Sequence, residues 1–545
     1  MNTEEFIHSE LERYLKSINV EIPIILQRPK DAQFGDFASN MALQLAGHLK
    51  KKPRQIADEI TEFLNIDQSF ILKVEIAGPG FINFYAAKAN LYDQLSLIFE
   101  HNSVYGKITQ KKPLKAQIEF VSANPTGPLT IGHGRQAVLG DTVANILETA
   151  GYDVTREYYF NDAGRQMRVL GQSVRFRYLE LCGESIEFPE DHYQGEYIKD
   201  VAQSLLGKHG HSLKDEPDID IFKQAAEDAI FSDIKNTISR LGFKFDVFFN
   251  EKSLYEQGKI TQTVENLKEK NLVYEKDGAT WFKTSDLGFD QDRVIIKSSG
   301  EPTYRLPDMA YHSEKFKRGF DLIIDIFGAD HIDTYPDVLA AMKVLGNDVD
   351  KIKVLIHQFV TLTEAGQKVK MSTRKANFIT LDELISEVGS DVTRYFFLMR
   401  SMNSHLNFDI TLAKNQSDEN PVFYIQYAHA RICSIIALAE SRNIDIKDKS
   451  RSILEKLVAT EEINLIKELI QYPEIIKLCA ETLEPQKLVN YLYNLATTFH
   501  KFYTECRVIN EDSQLTKGRL ALIDATRIVI ANALHVLRID APQRM

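Results

Sequence analysis

The stretch from Lys115 to Gly151 constrains the fold more than any other part of the chain. Lys115 to Val121 alternates apolar and polar residues, which is a strand pattern, and Pro125-Thr126-Gly127-Pro128 then breaks it. Gly132, His133 and Gly134 sit where a helix begins. Ala137, Val138, Val143, Ile146 and Leu147 carry that helix forward, and Gly151 stands just past its end, where glycine suits the last turn. Strand, tight turn and helix in this order make a βα unit, the building block of a doubly wound parallel sheet. The N-terminus of such a helix has free N–H groups and the positive end of the helix dipole, which suits phosphate. Glycines let a nucleotide approach the backbone, and His133 adds a donor toward the phosphates.

At 545 residues the chain has room for about three or four domains. Its 44% hydrophobic and 26% charged residues are ordinary for a globular protein and supply large cores. There is no run of about 18 consecutive apolar residues, and Met1-Asn2-Thr3-Glu4-Glu5 is acidic, so neither a membrane span nor a secretory signal is expected. Cys182, Cys433, Cys479 and Cys506 are scattered and form no CxxC pair. That spacing predicts neither a zinc site nor a disulfide framework, and fits a reducing cytoplasm. A formal net charge of −12 argues against a protein that coats nucleic acid nonspecifically. Local basic patches remain compatible with a specific nucleic-acid partner.

Four segments follow in order. Residues 1–110 predict a small α+β domain. Its first helix carries Phe6, Ile7, Leu11, Tyr14 and Leu15 on one face. A second begins at Pro53, and two strands near 70–76 and 81–85 are joined by Gly78-Pro79-Gly80. Lys50, Lys51, Lys52 and Arg54 form a local basic cluster, which is either a solvated run or a phosphate contact. Residues 111–360 predict the Rossmann-like domain with a parallel sheet. Strands are expected at 154–160, 294–296, 322–327 and 354–360, with a helical insertion over 165–290 that includes a hairpin turned at Asp277-Gly278. Trp281 is expected to pack rather than to bind. Residues 361–415 are a connecting region, and 416–545 read as an all-α bundle with aromatics at Phe423, Tyr424, Tyr427, Tyr491, Tyr493, Phe499, Phe502 and Tyr503. Most of these belong to a core, and a few at the surface would suit stacking on unpaired bases.

The turn at Thr130-Ile131-Gly132-His133 and the later Lys370-Met371-Ser372-Thr373-Arg374 resemble, as a pair, the His-Ile-Gly-His and Lys-Met-Ser-Lys signatures of class I aminoacyl-tRNA synthetases. The wider context is similar to the arginyl-tRNA synthetases over essentially the whole chain. It includes Phe34-Gly35-Asp36-Phe37-Ala38, Asn161-Asp162-Ala163-Gly164-Arg165-Gln166, the run from Asn420 to Arg431, and Ala541-Pro542-Gln543-Arg544-Met545. The resemblance implies ATP-dependent ligation of L-arginine to tRNA(Arg) through an arginyl-adenylate. Mg2+ would accompany ATP rather than occupy a dedicated protein cage. The N-terminal domain would meet the outer corner of tRNA and the bundle the anticodon. The family default is a cytoplasmic monomer with no membrane partner.

The same resemblance assigns residues. His133, Lys370 and Ser372 are the catalytic candidates. Thr130, Gly132, His133, Gly134, Met371 and Arg374 are the ATP candidates. Glu119, Ser122, Asn124, Tyr304 and Asp308 are the candidates for arginine. The amino-acid assignment has a chemical basis, because a guanidinium is planar, always charged and suited to forked acceptors. Tyr304 and Asp308 are four apart, so one helical turn places them on one side. Segments 328–331 and 358–360 are candidates for adenine and ribose. Thr130 and Thr373 depart from the signatures, replacing a histidine and a lysine. Two other readings are a different ligase on the same nucleotide fold and a non-catalytic tRNA-binding module. The two end domains argue against a ligase that does not use tRNA, and the retained His133, Lys370 and Ser372 argue against the binding module.

Overall fold

A computed structural model describes residues 1–29, 31–369 and 379–545. The N-terminal unit contains α1 (Thr3–Ser17), β1 (Leu26–Gln27), β2 (Phe37–Ser39), α2 (Met41–Leu49), α3 (Pro53–Phe63), β3 (Ile71–Ala77) and β4 (Phe81–Ala86). Its four strands form an antiparallel sheet in the order β1-β2-β4-β3. The five apolar residues expected on one face of α1 are buried, and Pro53 opens α3. This unit has a core of its own, drawn from residues 6–84. The next helix, α4 (Lys88–His101), packs elsewhere: its Leu91, Leu95 and Ile98 join the main core, against helices near the C-terminus. The segment 1–110 therefore spans two packing environments.

The parallel sheet is built from β5 (Lys115–Glu119), α5 (Ile131–Thr149), β6 (Asp153–Phe160), helices α6 (Gly164–Leu181), α7 (Glu196–His209) and α8 (Asp220–Arg240), and β7 (Val247–Asn250). Then come α9 (Lys252–Glu256), α10 (Lys259–Glu269), β8 (Val273–Lys276), β9 (Ala279–Phe282), β10 (Arg293–Ile296) and α11 (Arg305–Lys317). β11 (Leu322–Gly328), α12 (Tyr335–Val344) and β12 (Ile352–His357) complete the unit. The sheet order is β12-β11-β5-β6-β7, all parallel. The chain winds one way from β5 to β7 and the other way through β11 and β12. The order thus reverses between β5 and β11, where α/β sheets open a crevice at their carboxyl ends.

The strand expected over Lys115 to Val121 forms as β5, and Ala116 to Glu119 are all buried because β5 is central in the sheet. Three expectations need correction. Residues 294–296 do not resume the parallel sheet. They form β10, antiparallel to β9 in a separate sheet of order β10-β9-β8, since a four-residue run carries no sign of its partner. The expected strand 354–360 is two strands: β12 ends at His357, and Val360 opens another sheet. Within the segment expected as a helical insertion, Val247–Asn250 form β7, the edge strand of the parallel sheet. The hairpin at Asp277-Gly278 does form, with both turn residues at positive φ (53° and 73°), as a tight two-residue turn requires.

The connecting region holds β13 (Val360–Glu364), β14 (Gln367–Lys368), α13 (Leu381–Val388), α14 (Ser390–Leu398), β15 (Leu406–Asp409) and α15 (Ile410–Lys414), with a sheet of order β14-β13-β15. Six helices follow: α16 (Pro421–Ser441), α17 (Arg451–Leu454), α18 (Thr460–Leu469), α19 (Tyr472–Thr482), α20 (Gln486–Glu505) and α21 (Ser513–Leu537). By length and composition α16 and α21 would suit a bilayer. In the fold they pack against each other and against α20, and contribute to the core that runs from the parallel sheet into the bundle.

Candidate active site

The N-terminus of α5 is fixed by a reciprocal cap. Thr130, in extended backbone, accepts from the His133 N–H at 3.4 Å, and its own N–H donates to His133 Nδ1 at 3.2 Å. The ring of His133 is thus tied to the turn by one nitrogen. Gly134 has a packing reason to be glycine: a Cβ there would lie 2.5 Å from Leu381 Cδ1. At Gly132 the same atom would meet, among the described residues, only Thr130 Oγ1, at 3.7 Å. The segment after the lysine signature docks on this turn. Leu381 N–H donates to Leu129 O at 2.9 Å, and Thr130 bridges to Thr380. The candidates Lys370, Met371, Ser372 and Arg374 lie outside the described residues.

One turn into α5, Arg135 is fully buried. Its guanidinium donates to the backbone carbonyls of Gln358 (2.7 Å), Ser401 (2.9 Å) and Ser404 (3.0 Å). Burial pushes it down to about 10, which leaves it charged at neutral pH. The helix that carries His133 is therefore bonded to both β-strand approaches of the β13–β15 sheet. Nearby, β11 ends at Gly328, where Phe327 stacks on His331, and Phe359 stands 64% exposed between β12 and β13. These are the two segments expected near adenine and ribose.

At the carboxyl end of β5 the backbone turns through Val121 (φ 68°) and Ser122 (φ 42°). Left-handed backbone is costly for a β-branched residue and often marks a functional turn. The turn aims Ser122 Oγ back at Glu119 Oε1, to which it donates at 2.9 Å, while it accepts from the Tyr159 N–H at 3.1 Å. Glu119 is buried and its other oxygen accepts from the ammonium of Lys315. Burial pushes the Glu119 carboxyl up, against the pull of Lys315. Asn124 Oδ1 accepts from the Asn161 N–H, and its amide donates to Gln166 Oε1, both at 3.1 Å. That joins the pieces 122–124 and 161–166 at neighbouring strand ends.

Tyr304 caps α11 and is 84% exposed, with the Asp308 N–H donating to its carbonyl at 3.3 Å. Asp308 lies one turn on. Sequence reasoning missed a further carboxylate, Glu251, just past the end of β7. It is buried and accepts from Tyr159 Oη (2.5 Å), Asn161 Nδ2 (2.9 Å) and Tyr255 Oη (3.5 Å). No cation pairs with it among the described residues. Burial pushes it up, those donors oppose the shift, and Asp308 adds to it. The signal was present: Phe243, Phe245, Val247 and Phe249 alternate with period two. Glu119, Glu251 and Asp308 thus surround Tyr159, raising its hydroxyl further after burial has already done so. The arrangement is an acidic pocket beside a phosphate-ready helix end.

Two outer surfaces carry the remaining candidates. On the N-terminal unit Phe34, Phe81, Lys50 and Lys52 are exposed, while Lys51 pairs with Glu59 at 2.7 Å and Arg54 donates to Gly78 O at 3.1 Å. On the bundle Tyr491, Phe499 and Phe502 are core, but Tyr427 and Tyr493 are exposed. Tyr424 packs between Tyr493 and His500, and Arg431 donates to Tyr503 Oη at 2.7 Å. Trp281 stacks on Tyr274 in its hairpin, a packing role.

Comparison with known proteins matches three family models in tandem. Residues 4–86 match the arginyl tRNA synthetase N terminal domain, 94–405 the catalytic domain of tRNA synthetases class I (R), and 425–545 the DALR anticodon binding domain. The arginine–tRNA ligase of Desulfotalea psychrophila is 53% identical over 520 residues, covering 95% of this chain and 94% of its own length. That of Chlorobium phaeobacteroides is 51% identical over 546 residues and covers 99% of each. Among solved structures, Thermus thermophilus arginyl-tRNA synthetase superposes with a TM-score of 0.78 over 99% of both chains at 21% identity. Mycobacterium tuberculosis methionyl-tRNA synthetase with methionyl-adenylate, at 12% identity, shares the fold over 78% of this chain and 91% of that chain with a TM-score of 0.55.

Proposed function

The chain belongs to the arginyl-tRNA synthetase family, and from that premise we propose how its residues divide the work. The reaction is the ATP-dependent ligation of L-arginine to its cognate tRNA. In the first step an oxygen of the arginine carboxylate attacks the α-phosphorus of ATP, and the bond to pyrophosphate breaks. In the second a hydroxyl of the terminal tRNA ribose attacks the adenylate carbonyl, and AMP leaves. Mg2+ enters with ATP as part of that substrate.

The observation that supports the assignment is the clustering of Glu119, Glu251 and Asp308 about Tyr159, with Glu119 at the carboxyl end of the strand that leads into the capped N-terminus of α5. The N–H groups at Ile131 and Gly132, at the open end of α5, take the phosphates with His133, while the Gly134 N–H closes the first turn on Thr130 O at 2.9 Å. Lys370 and Ser372, with Met371 and Arg374, act on the departing pyrophosphate. In the pocket Tyr304, Asp308 and Glu251 receive the guanidinium, supported by Glu119. Ser122 and Asn124 hold the α-amino and carboxylate end. Catalysis is then positioning and charge stabilisation, with no covalent enzyme intermediate.

The outer surfaces take the tRNA. Exposed Tyr427 and Tyr493 with Arg431 suit the unpaired anticodon bases, and Phe34, Phe81, Lys50 and Lys52 suit the outer corner. We read the enzyme as a cytoplasmic monomer without a membrane partner, supported by the family and by four free thiols. Arginine activation waits on bound tRNA. The test is arginine-dependent ATP–pyrophosphate exchange with and without cognate tRNA, against lysine and glutamine. Exchange with arginine and tRNA together supports the whole assignment, exchange with arginine alone removes the tRNA requirement, and exchange with lysine overturns the pocket.

A further inference from the structure

A buried chain of charges links the two ends of the acidic pocket. Lys315 is wholly buried and donates to Glu119 of β5 and, at 2.6 Å, to Asp325 Oδ1 of β11. Asp325 Oδ2 accepts from His312 Nε2 at 2.9 Å. The other ring nitrogen, Nδ1, lies 2.9 Å from the backbone oxygen of Asp308 and 3.0 Å from Asp308 Oδ1. A carbonyl has no proton to give. Burial works against the charge on Asp325, but the Lys315 ammonium on its Oδ1 outweighs it and holds the carboxyl below its ordinary range, so Asp325 is ionised. Both ring nitrogens must therefore donate, and an imidazole with two N–H groups is a cation.

We propose that His312 is a positioning residue for arginine: as a standing imidazolium it fixes one oxygen of Asp308 so that the other is presented to the guanidinium, while Lys315 and Ser122 hold Glu119 in place beside it, one on each oxygen. The proposal rests on the reading of Asp308 as a substrate-binding residue. The physical need is clear. Asp308 lies in the first turn of a helix and is a third exposed, so its carboxylate would otherwise turn freely in water. A forked, planar cation is recognised only by acceptors already in place. Asp308 Oδ2 takes none of the described hydrogen bonds.

The groups that face this chain are His312 and Lys315 on α11, Asp325 on β11, Glu119 on β5, Glu157 and Tyr159 on β6, and Glu251 past β7. Glu157 is separately engaged by Tyr311 Oη and Arg318. Burial and the Lys315 ammonium work against the charge on His312, but Asp308 and Asp325 outweigh them and push it up to about 10.

The experiment is ATP–pyrophosphate exchange by the full chain with tRNA, measured for His312→Gln and Asp308→Asn across pH. His312→Gln should raise the KM for arginine about tenfold or more, with kcat and the KM for ATP within about twofold. An unchanged KM for arginine in His312→Gln overturns the proposal, and so does an equal loss in the constants for arginine and ATP, which marks a structural role. An unchanged KM in Asp308→Asn overturns the pocket assignment itself. If His312→Gln gives no cooperative melt, the wild-type profile decides. The proposal requires kcat/KM for arginine to lack a step at about pH 6.5, the ordinary histidine value. Such a step, absent from the ATP constants, overturns it.

Discussion

At the scale of single residues, Thr130 does by hydrogen bonding what a basic side chain does by charge. It sets the His133 backbone and ring together. Thr130→Ala removes the cap acceptor, so about 1 kcal/mol of helix stability should go. The KM for ATP should rise while that for arginine holds, which steady-state titration of each substrate checks. Glu251 offers the complementary case. Glu251→Gln keeps shape and removes the charge from a buried acceptor, and should raise the KM for arginine roughly 10- to 100-fold with kcat little changed. A third residue reports on pH. Burial, then the neighbouring Asp162, push Glu227 up to about 7, above the ordinary glutamate value of about 4.3. The folded state therefore binds this proton more tightly than the unfolded one. Its contribution favours the fold at low pH and is lost as pH rises from the ordinary value through 7. Thermal midpoints at mildly acid and mildly alkaline pH should fall less in Glu227→Gln than in wild type.

At the scale of elements, α5 lies so close on the sheet that glycine is obligatory where they touch. A Cβ at Gly140 would sit 2.2 Å from Phe120 Cγ, whereas at Gly134 it would press mainly on the end of a leucine. Gly140→Ala should cost about 1–3 kcal/mol in urea unfolding, more than Gly134→Ala, and the reverse order would refute this account of the contact. The same elements show what a sequence can disclose. β5, α5 and β11 were legible because each is long, strongly patterned and closed by turn residues. β10 and β7 are four residues each, too short for a pattern to name their partners. The run from Val354 to Val360 is apolar except at His357-Gln358, and that polar pair, with no glycine or proline beside it, is the one local mark of the break between the two sheets. Of the pocket, Asp308 and Glu119 were found through motifs. Glu251 reaches them only because β7 joins the sheet edge. His312 and Lys315 read as ordinary charges in a helix rich in them, until the sheet covers that face.

At the scale of the whole molecule, one carboxylate on α5 binds the units together. Asp141 is fully buried and accepts from Arg156 of β6 (3.3 Å), Arg394 of α14 (2.7 Å) and Arg538 past α21 (2.9 Å). Arg394, itself buried, also donates to the carbonyls of Leu537 (2.6 Å) and Leu241 (2.8 Å). Arg394→Met should remove about 3–5 kcal/mol by leaving buried charge and carbonyls short of donors. Calorimetry should show the catalytic and helical units melting together at a lower temperature, with the N-terminal unit, which has its own core, least affected. The position of Arg538 gives this knot a direction in time. It follows Asp141 by 397 residues, which at ribosomal speed is about 20–80 s of synthesis. Throughout that interval the helix proposed to bind ATP carries an aspartate short of its last arginine, so the proposed nucleotide site of the nascent chain is written but not locked. A chain released early by a stop or a protease keeps every signature residue and lacks the final clasp. The protein is in this way assembled from its far end, and an incomplete copy is poorly equipped to charge a tRNA it cannot fully read.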